Sequence, residues 1–206
     1  MSLRVFFANG TPSLKLFSLA CLLTVAAEGL GYYFRSKGQG AEEPGSFATN
    51  HWVYNVYHYL YFMVVGRAYF NQLTGDLMRA LIQLFRIGFT AFFLINSFLI
   101  QGIGTYQTLT VVVGGSFVMI LSLAYFWELL VSLENEKLSR DPFFWISFGL
   151  ILFYGGTIPF LGMLNFLSRR FYDFTVLYQL YIFNGFTIFL NTLIIIGFLC
   201  RKSFQK

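Results

Sequence analysis

The sequence predicts an all-α fold: a polytopic membrane helix bundle of six transmembrane helices, with both termini inside (N-in, C-in). Three observations carry this expectation. Only 11% of the 206 residues are charged against 57% hydrophobic, with mean hydropathy +0.65, whereas a soluble domain carries about 25% charged residues. Aromatic residues reach 21%, with 27 Phe, 13 Tyr and 3 Trp, more than a small soluble core uses. Apolar runs of roughly 20 residues, the length that crosses the hydrocarbon of a bilayer, recur along the whole chain.

The six runs are 14–34, 51–70, 79–100, 109–131, 142–167 and 174–200. Together they form a single transmembrane bundle over residues 1–206. The first contains LKLFSLACLLTVAAEG, which resembles a signal peptide with cleavage after Ala27; it is read as a retained helix. The second carries both histidines of the chain. In the fourth, Gly114 and Gly115 permit close helix packing. The fifth has a well-specified start, with Asp141 as N-cap and Pro142 at the first helical position. It also holds YGGTIP, where Gly155, Gly156 and Pro159 predict a mid-membrane kink or hinge, because Pro159 cannot donate to the Gly155 carbonyl. The last two runs are long, so they tilt or extend past the hydrocarbon. Between the first two, RSKGQGAEEPGSFATN (35–50) is polar, Gly-rich and without regular structure.

Lys and Arg in the connections set the orientation. Arg4, Lys15, Arg79, Lys137, Arg140, Arg201, Lys202 and Lys206 fall on one side, and Arg35, Lys37, Arg169 and Arg170 on the other. Eight against four places the first group, and both termini, in the cytoplasm. The same distribution explains the net charge of +5: the basic residues end apolar runs and form no patch, so nucleic acid is not an expected partner. Cys21 and Cys200 form no CxxC pair, so neither a disulfide framework nor a zinc site is indicated. No cofactor or metal is expected.

The stretch ATNHWVYNVYHYLYFMVVGRAYF (48–70) poses the functional question. Ionisable groups inside a bilayer are costly, and each marks a candidate site. Glu28 lies roughly 9 Å below the outer end of the first helix, and His58 roughly 10 Å below that of the second. Sequential helices are usually neighbours, so a Glu28–His58 hydrogen bond or ion pair is expected. At 3.6 residues per turn, His51, Asn55 and His58 share one face, with Tyr61 at its edge. Thr24, Glu28 and Tyr32 share another, as do Gln83, Arg86, Thr90 and Ser97 on the third helix and Asn184, Thr187 and Asn191 on the sixth. All these faces are expected to point inward. The predicted ligand-binding pocket is Glu28, His58, Asn55, Tyr32 and Tyr61, and the competing reading is interhelical hydrogen bonding alone. Arg67, Arg86 and Glu128 form a predicted inner polar cluster, unless the arginines snorkel to the headgroups. His51 and His58, roughly 10 Å apart along one helix, cannot ligate one metal ion together.

The stretches AAEGLGYYF, NHWVYNVYHYLYF, RDPFFWISFGLILFYGG and LYQLYIFNGFTIFLNTLIIIGF resemble small, mostly uncharacterised bacterial membrane proteins of six or seven helices. They also resemble the transmembrane input modules of sensor histidine kinases. The resemblance implies a bacterial inner membrane and a sensing or signalling context, without catalytic activity. The expected function is therefore a membrane sensor or interaction module, solvated by lipid, that signals through a separate protein partner at the cytoplasmic face. The alternatives are a small transporter or channel, and a structural subunit of a membrane complex. An enzyme is the weakest reading, since Glu28–His58 has no third catalytic group. The sequence does not set an oligomeric state.

Overall fold

The computed structural model describes residues 11–37, 50–131 and 141–200. Among these, the regular structure is helical throughout: α1 (Pro12–Lys37), α2 (His51–Gln72), α3 (Asp76–Ile95), α4 (Thr108–Val131), α5 (Pro142–Arg170), α6 (Tyr172–Leu177) and α7 (Asn184–Cys200). Two π-helical segments, Asn96–Ile100 and Tyr178–Phe183, continue α3 and join α6 to α7. The all-α expectation is met. Of the basic residues that set the expected orientation, Arg4, Lys137, Arg140, Arg201, Lys202 and Lys206 lie outside the described residues, as does most of the 35–50 connection.

Among the described residues, five helical stretches are long and apolar enough to cross a membrane: Pro12–Lys37, Asp76–Ile100, Thr108–Val131, Pro142–Arg170 and Tyr172–Cys200. This is a polytopic, membrane-type architecture. The second predicted span is the exception. At 22 residues, α2 is about 33 Å long, but two His, two Asn, Gln72 and Arg67 dilute its apolar content. Packing against neighbours makes this tolerable, with Asn55, Tyr61, Phe62, Val65, Ala68 and Tyr69 all buried.

The helices group into two compact units, Met1–Gly114 and Gly115–Lys206. The boundary falls within α4, at the Gly114–Gly115 pair.

In the first unit α1 packs along α2. Its buried residues Ser13, Leu14, Phe17, Ala20, Ala27 and Gly31 recur at helical spacing on one side. Tyr54 closes the contact at the far end: a methyl group on Gly31 would lie 2.7 Å from the Tyr54 hydroxyl oxygen. Leu73–Gly75 turn the chain into α3, and Arg79 Nε donates to the Leu73 carbonyl at 2.8 Å. Tyr59 stacks on Phe93 with centroids 4.6 Å apart, and Phe62 meets Phe89 edge-on at 5.9 Å. Gly114 lets Phe62 lie against α4: a methyl there would come within 2.1 Å of the ring.

In the second unit, Asp141 caps α5 as expected, accepting from the Phe143 N–H at 2.9 Å with Pro142 at the helix start. Tyr125 also donates to Asp141. The predicted hinge region lies within one continuous helix, with Pro159 inside it. Gly156 is a packing position, where a methyl would meet the Phe186 ring at 2.4 Å. Its carbonyl accepts from the Tyr178 hydroxyl at 3.3 Å. Gly197 brings α7 against α5, 2.7 Å being left between a methyl there and the Pro142 carbonyl oxygen.

Candidate functional site: a clamped polar loop beside two histidines

The polar residues of the first unit converge where α2 begins and α3 ends. After Ile95 the α3 helix widens into π-helical Asn96–Ile100, and the chain turns at Gly102, whose φ of 77° favours glycine. Residues 101–107, QGIGTYQ, lead into α4. Their backbone and side chains are held by a largely buried network.

Asn55 is the clamp. Its side chain is 1% exposed and makes three hydrogen bonds to the loop backbone. Nδ2 donates to the carbonyls of Ile103 (3.0 Å) and Thr105 (2.8 Å), and Oδ1 accepts from the Gln107 N–H at 3.0 Å. One buried amide thus satisfies three backbone groups that no helix could serve.

A second layer joins α3 to α4. Gln107 Nε2 donates to Ser97 Oγ at 2.9 Å, and its Oε1 accepts from the Thr110 hydroxyl at 2.9 Å. Gln101 Nε2 donates to Thr108 Oγ1 at 2.9 Å, while its Oε1 accepts from the Leu109 N–H at 3.1 Å. That N–H fixes which Gln101 atom is oxygen, so Asn96 must present Nδ2 to it (3.2 Å) and to Thr110 Oγ1 (2.9 Å). Asn96 Oδ1 is then left buried with no hydrogen-bond partner among the described residues.

The histidines answer the question their sequence context raised. The Tyr106 ring lies against both, with centroids 5.8 Å from His58, edge-on, and 6.5 Å from His51. His58 also contacts the rings of Tyr57 (5.0 Å) and Phe62 (6.2 Å). The imidazole is half-buried, yet its Nδ1 is shielded from solvent and lacks a well-formed hydrogen bond among the described residues; the backbone group one turn earlier belongs to Tyr54. Tyr106 lies outside the membrane-spanning segments, and burial pushes its phenol well above the ordinary value of 10, with the Tyr57 and Tyr54 side chains adding to the rise.

The expected pocket is partly rearranged. His58, Asn55 and Tyr61 are in the packed interior or half-buried beside it, but Tyr32 is 77% exposed. Glu28 is exposed and accepts from the Tyr54 hydroxyl at 3.1 Å, so the expected Glu28–His58 bond does not form. The depth estimate matched the two residues, but Tyr54, one turn before His58, faces α1 instead. Thr24, from the same stripe, bonds the Tyr57 hydroxyl at 2.9 Å.

The residues of the predicted inner cluster fall in different units. Arg67 lies over the Phe70 ring at 4.6 Å, and Arg86 Nε is buried without a hydrogen-bond partner; both belong to the first unit, and Glu128 to the second. On α3, Ser97 is buried and Thr90 bonds the Tyr59 hydroxyl at 3.1 Å, but Gln83 is exposed. On α7 the expected inward stripe is overturned: Asn184 and Asn191 are exposed and Thr187 is half-buried.

Sequence reasoning did not single out Asn96, Gln101, Tyr106, Gln107 and Thr110, which fall in the short connection between the third and fourth runs or at their ends. The signal was the run NSFLIQGIGTYQTLT, in which amide and hydroxyl side chains are denser than a short extramembrane turn needs.

Among the described residues, no group of three or more His, Cys, Asp or Glu could hold a metal ion. The groups gathered at the site are hydrogen-bonding amides and hydroxyls, with two imidazoles beside them. Fold and site together define a membrane-type helical protein with a histidine-flanked, amide-clamped loop at one end of its first unit. Comparison of the chain with known protein families, curated proteins and solved structures finds no match.

Proposed function

We propose that this chain is a sensor or interaction module of the bacterial inner membrane, with the 101–107 loop as its responsive element. A separate protein partner reads the response at the cytoplasmic ends of the helices. The observation that carries this reading is the Tyr106 ring set against His51 and His58, with His58 Nδ1 shielded and poorly bonded.

The physical logic is a two-state balance. In the closed arrangement His58 is surrounded by Tyr57, Phe62 and Tyr106, none of them charged at neutral pH. Glu28, the carboxylate of α1, is engaged one turn away through Tyr54. A proton added to His58 gains no carboxylate partner there, whereas an opened loop would let water solvate the imidazolium. Protonation therefore favours the open state. A hydrogen-bonding ligand that engages His58 Nδ1 would act on the same balance.

The test is a cysteine at Thr108, buried behind the loop, with Cys21 and Cys200 changed to Ser and labelling rates corrected at each pH for the thiolate fraction. Labelling that accelerates on acidification, and does so less in a His58→Gln background, supports the proposal. Equal pH profiles in both backgrounds would remove its basis.

A further inference from the structure

Behind the clamped loop, the hydrogen bonds that link Asn96 to Ser97 by way of Thr110 and Gln107 run in one direction. Asn96 Nδ2 donates to Thr110 Oγ1 at 2.9 Å, and the Thr110 hydroxyl donates to Gln107 Oε1 at 2.9 Å. Gln107 Nε2 then donates to Ser97 Oγ at 2.9 Å. A hydroxyl has a single hydrogen to give, so this chain of bonds has two open ends.

At one end, Asn96 Oδ1 is buried and accepts from no group among the described residues. At the other is the Ser97 hydroxyl hydrogen. Ser18 and Thr90 return theirs to the carbonyl four residues back, at 3.0 and 2.9 Å. Ser97, in the π-helical segment, makes no such bond among the described residues. The two ends thus belong to consecutive residues and are complementary, one an acceptor and the other a donor.

The site is closed to anything large. Asn96, Gln107 and Thr110 have no exposed surface, and Ser97 is 4% exposed. Nearby protein donors are already engaged. Gln107 Nε2 gives its second hydrogen to the Gly102 carbonyl at 3.4 Å. The Gln101 and Gly102 N–H groups both go to the Asn96 backbone carbonyl, at 2.9 and 3.2 Å. A buried polar atom without a partner costs its full desolvation. What fits must donate and accept at once and be no bigger than the gap between two adjacent side chains. Water does both.

We propose that Asn96 Oδ1 and Ser97 Oγ form a binding site for one buried water, which accepts from Ser97 and donates to Asn96. The bonds then close into a ring through Asn96, Thr110, Gln107, Ser97 and the water. Asn96 and Ser97 precede the 101–107 loop and Thr110 follows it, so the water completes a tie across the base of the loop. This tie does not rest on the protonation of His58.

Water-edited solid-state NMR tests it, on the full-length protein in liposomes at neutral pH with carbon-labelled asparagine. Asn55 is the internal control. Its side chain is 1% exposed, and its three hydrogen bonds all go to protein. At short mixing times the Asn96 side-chain carbonyl carbon should receive water magnetisation and the Asn55 carbonyl carbon should not. Ser97→Ala removes the hydroxyl that holds the water, and the Asn96 signal should fall to the Asn55 level. Equal transfer to Asn96 and Asn55 in wild type overturns the proposal, since both are then dry or a general opening wets both. Transfer to Asn96 that Ser97→Ala leaves unchanged also overturns it.

Discussion

The Tyr106 ring meets the His58 imidazole edge-on, with centroids 5.8 Å apart. A loop residue and a helix residue 48 positions apart in sequence are thereby coupled. Tyr106 is held there by the backbone on either side of it, since Asn55 bonds the Thr105 carbonyl and the Gln107 N–H. Whatever loosens Asn55 should loosen Tyr106, and whatever charges His58 should push against it.

Asn55→Ala removes three hydrogen bonds at once and leaves the buried loop backbone unsatisfied. Roughly 2–4 kcal/mol of stability should be lost, seen as a fall in thermal midpoint in detergent. Hydrogen exchange should rise in residues 101–107 ahead of α1. A uniform rise over the first unit would mean that Asn55 is general packing and not a clamp.

Gly114→Ala should destabilise the first unit by about 1–3 kcal/mol, because its methyl meets the Phe62 ring and one or both helices must shift. Gly29→Ala is the control: nothing lies within 4 Å of a methyl there, and alanine is the better helix former by roughly 1 kcal/mol. Opposite signs for the two variants in the same unfolding assay are expected.

Glu28→Gln should leave the His58 surroundings untouched. It alters an exposed hydrogen bond to Tyr54, so the stability change should stay within about 0.5 kcal/mol. A His58 imidazole resonance that moves substantially in the Glu28→Gln protein would restore the direct pairing that the sequence suggested.

Tyr106 sets an alkaline limit. Its phenol is raised above the ordinary 10 by burial, so the folded chain keeps a proton that the unfolded chain has already released. Its contribution is complete below pH 10 and is lost as pH rises above that value. Tyrosinate absorbance of wild type minus Tyr106→Phe should therefore show a transition above the ordinary tyrosine range. A difference transition centred at 10 would mean that the ring is solvated.

Much of the fold could be read from composition and spacing, because apolar run length answers directly to bilayer thickness. Asp141 and Pro142 specified the start of α5 for equally local reasons. The site was only half legible. His51, Asn55 and His58 were recognised as one face, since helical periodicity is a property of a single segment. Their partners were not, because Tyr106 and Gln107 sit in a connection whose conformation depends on the Asn55 clamp it meets in the folded protein. Glu28 misled for a related reason: equal depth says nothing about rotation around the helix axis, and Tyr54 holds the side of α2 that meets α1. Asn184 and Asn191 were expected inward because polar residues avoid lipid, but both are exposed, and spacing along one helix does not say which side its neighbours cover.

The central claim is that His58 protonation governs the loop that Asn55 clamps. The most direct measurement is hydrogen exchange of residues 101–107 in nanodiscs between pH 7.5 and 5, corrected for intrinsic exchange rates, in wild type and His58→Gln. Protection should fall on acidification in wild type and stay level in the variant. Protection independent of pH in wild type, or falling equally in both, would contradict it.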